Sequence, residues 1–199
     1  MPDVDEEQRI LEYLRVAIDT EFSYVIPRDK PDFEVGHRGS IVGIEITDGS
    51  TEEFRRGLSL ARKRGLRSFG LDGFEERSKD QKRSNDALIQ IMEMAESSDC
   101  EISAVAWAAR IADRIKRKCQ LMQASEIQRF ERNWLCIYNF QSDDLSLPVE
   151  RRRDMLLGAI GPDDTFRRMF DVIYVLSIKS LFVIDRNRAI VIDLKPRDG

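Results

Sequence analysis

The fold is decided by residues 31–47, which read PDFEVGHRGSIVGIEIT. Two runs rich in β-branched and apolar residues flank a short segment that contains two glycines, and this pattern predicts a β-hairpin. With a turn at residues 36–39, Val35 pairs with Ser40 and Asp32 with Gly43. Because side chains alternate between the two faces of a strand, this register gives the hairpin one apolar and one acidic face. The apolar face is Phe33, Val35, Val42, Ile44 and Ile46, and the other is Asp32, Glu34, Ile41, Gly43, Glu45 and Thr47.

The acidic face brings two carboxylates together. In this register Asp32 and Glu45 are diagonal neighbours, roughly 5 to 8 Å apart. One hard cation can bridge two carboxylates at such a distance. Gly43, opposite Asp32, adds no side chain and leaves room above the acids for an ion, a water molecule or a phosphate. The alternative is an edge hairpin whose acids are simply solvated.

The composition predicts one domain. A chain of 199 residues with 42% hydrophobic residues can bury a sizeable core. No apolar run reaches the ~18 residues of a membrane span, and the acidic N-terminus lacks the pattern of a signal peptide. Three cysteines without close spacing suit a reducing compartment, and a single histidine argues against a His-rich zinc site. We therefore expect a soluble, unprocessed cytoplasmic protein without a membrane partner.

Charge is unevenly distributed along the chain. Residues 1–53 contain fourteen acids against five Lys or Arg, whereas residues 55–83 contain ten Lys or Arg against four acids. We expect a basic, flexible insertion at about 55–85 within a single domain that spans 1–199. A basic segment beside an acidic pocket suits an enzyme that holds a metal with its acids and phosphates with its cations. A solvated, mobile loop is the alternative.

Hydrophobic periodicity predicts an α/β (α+β) fold, with a central mixed sheet flanked by helices and a mainly β C-terminal extension. The predicted helices are 5–20, 84–97, 101–123 and 148–158. The predicted strands beside the hairpin are 22–26, 134–139, 171–177, 181–185 and 189–194. Of these, 134–139 is almost wholly apolar, as in a central strand buried on both sides.

The hairpin and the elements around it resemble the PD-(D/E)xK nuclease superfamily, the restriction-endonuclease-like fold. In that family a Pro-Asp opens the second strand, and an acid, one spacer and a lysine lie on the third. Here the Pro-Asp is Pro31-Asp32, the acid is Glu45, the spacer is Ile46, and Thr47 takes the place of the lysine. The sequence Pro-Asp-Phe at 31–33, followed by Gly-Ile-Glu-Ile-Thr at 43–47, also looks like an uncharacterised subset of that superfamily. In this subset the lysine comes from the following helix.

The resemblance implies a metal site. Asp32, Glu45 and the backbone carbonyl of Ile46 would bind Mg²⁺, or Mn²⁺ in its place. Thr47 would hydrogen-bond a water molecule or a phosphate.

The resemblance also implies two further site residues, each with an alternative. The lysine corresponds to Lys118 on helix 101–123, with Lys116 as the alternative. A glutamate on the first helix, a further ligand of the metal or of water, corresponds to Glu7, with Glu12 as the alternative.

The function that follows is metal-dependent hydrolysis of phosphodiester bonds, with nucleic acid as the partner. The alternative is a catalytically inactive module of the same fold. Such a module would bind nucleic acid or a regulatory partner, or would present its acidic half to a basic protein in the manner of an immunity protein.

Overall fold

The computed structural model describes residues 4–50, 52–65, 83–94, 100–124, 126–139, 147–162, 165–177, 179–185 and 188–194. The helices are α1 Val4–Ala17, α2 Glu52–Lys63, α3 Asn85–Met94, α4 Cys100–Gln123, α5 Val149–Ile160 and α6 Thr165–Met169. The strands are β1 Val25–Pro27, β2 Phe33–His37, β3 Ser40–Asp48, β4 Arg132–Tyr138, β5 Val172–Leu176, β6 Ser180–Asp185 and β7 Ala189–Asp193.

The strands form a seven-stranded sheet in which spatial order follows chain order, from β1 to β7. The first three strands are antiparallel, β4 and β5 run parallel to β3, and β6 and β7 return antiparallel. The predicted mixed sheet with a β-rich C-terminal end is therefore confirmed. β4 lies at the centre of the sheet and is buried over most of its length, as its apolar sequence predicts.

Helices cover both faces of the sheet, so the apolar residues form two cores. On one face, Ile10, Leu11 and Leu14 of α1 pack with the apolar side chains of the hairpin and with Trp134. On the other face, α4, α5 and α6 pack on side chains of β4 to β6, among them Leu135. The side-chain alternation of β4 therefore divides the protein into an α1 side and an α4 side.

The hairpin turn is shorter than predicted. His37 pairs with Ser40 and Val35 with Val42, so the turn consists of Arg38 and Gly39. Both turn residues have positive φ, 51° and 80°, which two-residue turns of type I′ require. The register differs from the prediction by two residues, and an even shift leaves every side chain on its predicted face.

Two details of the secondary structure differ from the prediction. The first strand is Val25–Pro27 and not 22–26, and the short helix Thr165–Met169 had not been predicted. Of the predicted insertion at about 55–85, residues 55–63 belong to α2 and residue 85 begins α3, while residues 66–82 lie outside the described residues. No helix in the described ranges is long and apolar enough to cross a membrane.

Two isoleucines of β3 test the assignment of faces. Ile44 is fully buried against α1, whereas Ile41 is 40% exposed. We expect Ile44→Ala to lower the free energy of unfolding by about 2–5 kcal/mol, because it removes buried methyl groups and leaves a cavity. The matched change Ile41→Ala costs about 1 kcal/mol or less. Urea unfolding of both variants measures the difference, and equal losses would contradict the assignment of faces.

Candidate functional site

The hairpin places Asp32 and Glu45 on the α4 side of the sheet. Phe33 pairs with Ile44, so continuing this register by one residue sets Asp32 directly opposite Glu45 and not diagonal to it. Glu45 is also the parallel partner of Leu135, whose side chain belongs to the core beneath α4. Paired residues of neighbouring strands point to the same face, and the two carboxylates therefore point toward α4.

Helix α4 packs along the end of β3 and makes three contacts with it and with the residues that follow it. A methyl group on Gly49 would lie 2.8 Å from the Cδ1 atom of Ile111, so the helix packs closely where β3 ends. One turn further on, Arg114 donates from Nη2 to the carbonyl oxygen of Ser50 at 2.9 Å. A further turn on, Lys118 donates from Nζ to Oε1 of Glu45. Residues spaced by three and four lie on one face of a helix, so this face of α4 brings Lys118 to the acids.

Glu45 is deeply buried, with 5% of its surface exposed. Lys118 binds its Oε1 atom, and within the described residues Oε2 has no hydrogen-bond partner. A buried carboxylate oxygen without a donor is costly, so such an atom calls for a ligand or water. The alternative lysine, Lys116, is exposed on another side of α4 and is not the residue that reaches the acids.

Asp32 is held beside Glu45 by the backbone of the neighbouring strand. Its Oδ2 atom accepts a hydrogen bond of 2.6 Å from the amide of Ile46. Burial, and then the negative charge of Glu45, raise the pKa of Asp32 to about 7. The Ile46 amide and Lys118 act in the opposite direction but do not offset these effects.

The backbone carbonyl of Ile46 is directed to the same side of β3 as its amide, which binds Asp32. The N–H and C=O groups of one residue in a strand point to the same side, so the Ile46 carbonyl is directed toward the start of β2. In continued register, the residue opposite Ile46 is Pro31. Proline has no N–H, so Pro31 cannot donate to that carbonyl and the ladder between the strands ends here.

Glu7 of α1 interacts electrostatically with this cluster, although α1 packs on the other face of the sheet. It is half-buried, and its pKa is raised by burial and by the charge of Glu45, while Lys118 lowers it. The alternative, Glu12, is exposed and accepts hydrogen bonds of 2.6 and 2.7 Å from the guanidinium group of Arg15. The structure therefore brings Glu7, Asp32, Glu45 and Lys118 into one electrostatic cluster and leaves Glu12 outside it.

Gly43 does not have the role that was predicted. It pairs with Glu34 and not with Asp32, and a methyl group added to it would lie 2.7 Å from the Phe130 ring and 2.9 Å from Pro31. These two rings fill the space expected for a ligand. Nothing in the spacing of the sequence points to Phe130, which comes from the segment before β4.

Two polar residues complete the surroundings. Thr47 is half-buried and, two residues beyond Glu45, shares its face. Arg55, from the basic segment, lies 3.4 Å from the Asp48 carboxylate at the end of β3. The start of the basic segment is therefore next to the strand that carries the acids.

A cation fits part of this arrangement. The described residues contain no group of three or more His, Cys, Asp or Glu side chains able to hold a metal. The set to be considered is instead two carboxylates and the backbone carbonyl of Ile46, which are oxygen ligands of the kind that Mg²⁺ prefers. The observation in favour of such a ligand is the buried Oε2 atom of Glu45, which has no hydrogen bond in the described part of the chain.

No family model, curated protein or solved structure matches this chain. Its function must therefore be judged from the geometry of the cluster around Glu45.

The raised pKa of Asp32 has a consequence for stability. Folded Asp32 keeps its proton up to about pH 7, whereas an unfolded aspartate ionises near pH 4. Between these pH values the folded state binds more protons than the unfolded state, so the contribution of Asp32 to stability falls as the pH rises. Asp32→Asn, which keeps an oxygen acceptor but carries no charge, should gain stability relative to wild type from pH 5 to pH 8, by on the order of 2 kcal/mol.

Urea unfolding at both pH values, in metal-free buffer, measures this gain. The matched control is Asp29→Asn, a change of the same kind at an exposed site three residues away. Its effect should be the same at pH 5 and pH 8. An Asp32→Asn effect that is equally independent of pH would show that Asp32 is not held in its protonated form.

Proposed function

We propose that the protein is a metal-dependent nuclease with a restriction-endonuclease-like core, which hydrolyses phosphodiester bonds in nucleic acid. The residues that would hold Mg²⁺ or Mn²⁺ are Asp32 and Glu45, together with the carbonyl group of Ile46. The observation that carries this proposal is the Oε2 atom of Glu45, which is buried opposite a second carboxylate and has no hydrogen-bond donor among the residues that the structure describes.

The order of the elements supports the same proposal. A helix, three antiparallel strands, a helix and a strand parallel to the third strand follow one another as α1, β1 to β3, α4 and β4, with α2 and α3 inserted after β3. The resemblance implies this order. The acid-bearing strand β3 and the lysine-bearing helix α4 are then the pair that meets at the site.

The side chains around the acids have roles that their positions suggest. A divalent ion, when bound, lowers the pKa of its water ligand and neutralises charge on a phosphate. Lys118 would orient the attacking water or hold a phosphate oxygen, since its ammonium group carries three donors. Glu7, whose pKa is raised by burial and by the charge of Glu45, suits a group that accepts a proton from water. Thr47 can donate only a neutral hydrogen bond.

Cationic groups near the acids fit a polyanionic substrate. Arg114 lies one helical turn before Lys118 on α4, and Arg55 lies beside the end of β3. Both are positioned near the acid-bearing strand, where guanidinium groups can bind phosphates on either side of the reacting bond.

One observation favours the second candidate function, a binding module without catalysis. Thr47 stands at the strand position that carries a charged lysine in the family. Titration calorimetry with Mn²⁺ separates the two functions. A nuclease should show a heat of Mn²⁺ binding. An inactive module can bind DNA in a salt-sensitive way and show no heat of Mn²⁺ binding.

The proposed site predicts the loss of cleavage in two isosteric variants. Asp32→Asn and Glu45→Gln each remove one negative charge from the metal ligands while preserving shape. Because a bound metal stabilises the transition state by several kcal/mol, we expect each change to reduce Mg²⁺-dependent cleavage at least about 100-fold. Cleavage of labelled DNA and RNA oligonucleotides, with and without EDTA, measures the loss.

The matched control is Glu34→Gln, on the same face of the hairpin. Glu34 accepts hydrogen bonds from Arg28 and, at 3.2 Å, from Tyr24, so its carboxylate is committed to these partners. This variant should keep its cleavage activity provided that circular dichroism shows it folded. Undiminished cleavage by folded Asp32→Asn and Glu45→Gln would refute the site.

A further inference from the structure

Lys118 occupies the position at which a cation would be expected. Its ammonium group donates to Glu45 Oε1, and both side chains are largely buried, with 19% of Lys118 and 6% of Glu45 exposed. Within the described residues, Glu45 is the hydrogen-bond partner of this ammonium group. The Coulombic effect of Lys118 also reaches Asp32 and Glu7, since it lowers the pKa of both carboxyl groups. One lysine therefore acts on all three acids, and its hydrogen bond goes to Glu45.

We propose that Lys118 is the counter-cation of Glu45 when no metal is bound, and that a divalent ion displaces its ammonium group from Glu45. This inference rests on the proposed function, because it concerns the same metal site. It adds that the lysine and the metal compete for one carboxylate.

The competition follows from charge and geometry. A divalent ion held by Asp32 and Glu45 would be a near neighbour of an ammonium group bound to Glu45, and like charges at such distances repel strongly where water is excluded. The two cations then bind the acids in mutually exclusive arrangements, and by linkage each weakens the binding of the other.

Displacement also gives the lysine its place in the reaction. The Lys118 side chain is partly exposed, so a short movement takes its ammonium group away from Glu45 and toward solvent. There it can bind a phosphate oxygen or a water molecule. An ammonium group that remained on Glu45 would be unavailable to the substrate.

The first test is the affinity for Mn²⁺, measured by titration calorimetry without substrate. Lys118→Met removes the charge and keeps the length of the side chain. Because it removes a repulsive charge beside the metal, we expect its dissociation constant to be at least about tenfold lower than that of wild type. The matched control is Lys116→Met, which makes the same change at an exposed position on the same helix. Its affinity should equal that of wild type.

The second test uses the wild-type protein and so does not depend on the folding of a variant. In protein labelled with ¹⁵N-lysine, the Lys118 ammonium group should give a resonance protected from exchange by its bond to Glu45. Saturating Mg²⁺ should remove this protection. The exposed Lys116 ammonium group, which exchanges rapidly in both states, serves as the internal reference.

The outcomes separate this inference from the proposed function. If wild type and Lys118→Met bind Mn²⁺ equally, or if the protected resonance persists in saturating Mg²⁺, the competition is refuted while the metal site stands. If Lys118→Met binds Mn²⁺ more weakly, the lysine supports the metal and the inference is overturned. If neither protein binds Mn²⁺, both the inference and the proposed metal site fail.

Discussion

The burial of two facing carboxylates is the constraint on which the rest of the structure depends. Like charges brought together away from water raise the free energy of the folded state, and one of them responds by holding its proton. Here the repulsion is offset by the amide of Ile46, which binds Asp32, and by the ammonium group of Lys118, which binds Glu45. An arrangement that costs stability and is still surrounded by specific partners is typical of a functional site.

The ends of two strands decide where this site forms. β3 continues to Asp48, whereas β2 begins only at Phe33, so the last part of β3 extends beyond its antiparallel neighbour. Pro31 terminates the ladder at this point because it has no N–H to donate. The Ile46 amide then binds the side chain of Asp32 in place of a backbone carbonyl. The same feature that stops the strand therefore supplies the polar groups of the site.

The faces of the hairpin could be predicted, but its register could not. Alternation of apolar and acidic residues fixes the faces, and any turn of even length preserves them. The choice between a four-residue and a two-residue turn depends on Arg38 adopting a positive φ, which its sequence does not favour. This difference moved Gly43 away from Asp32, so the space expected there is lost.

The contacts of the site that come from distant parts of the chain were less predictable. Phe130 closes over Gly43 from the segment before β4, and no periodic pattern marks that approach. Short elements such as α6 carry too few residues for a periodic signal. Lys118 was predicted from the resemblance of this chain to a nuclease family, because the spacing along α4 by itself does not distinguish it from Lys116. What distinguishes them is the packing of α4 on the sheet, since only Lys118 lies on the face that also contacts Gly49 and Ser50.

The origin of the lysine on a helix links the site to the assembly of the fold. A lysine at the position of Thr47 would lie on the same strand as Glu45. It would therefore be close to the acid before any helix had packed on the sheet. Lys118 reaches Glu45 only after α4 has docked on the sheet through Ile111 and the other apolar residues of that core. The negative charge of the hairpin is therefore balanced by the same packing that buries it. The cation of the site therefore lies on α4, which contributes more buried residues to that core than α5 or α6 does.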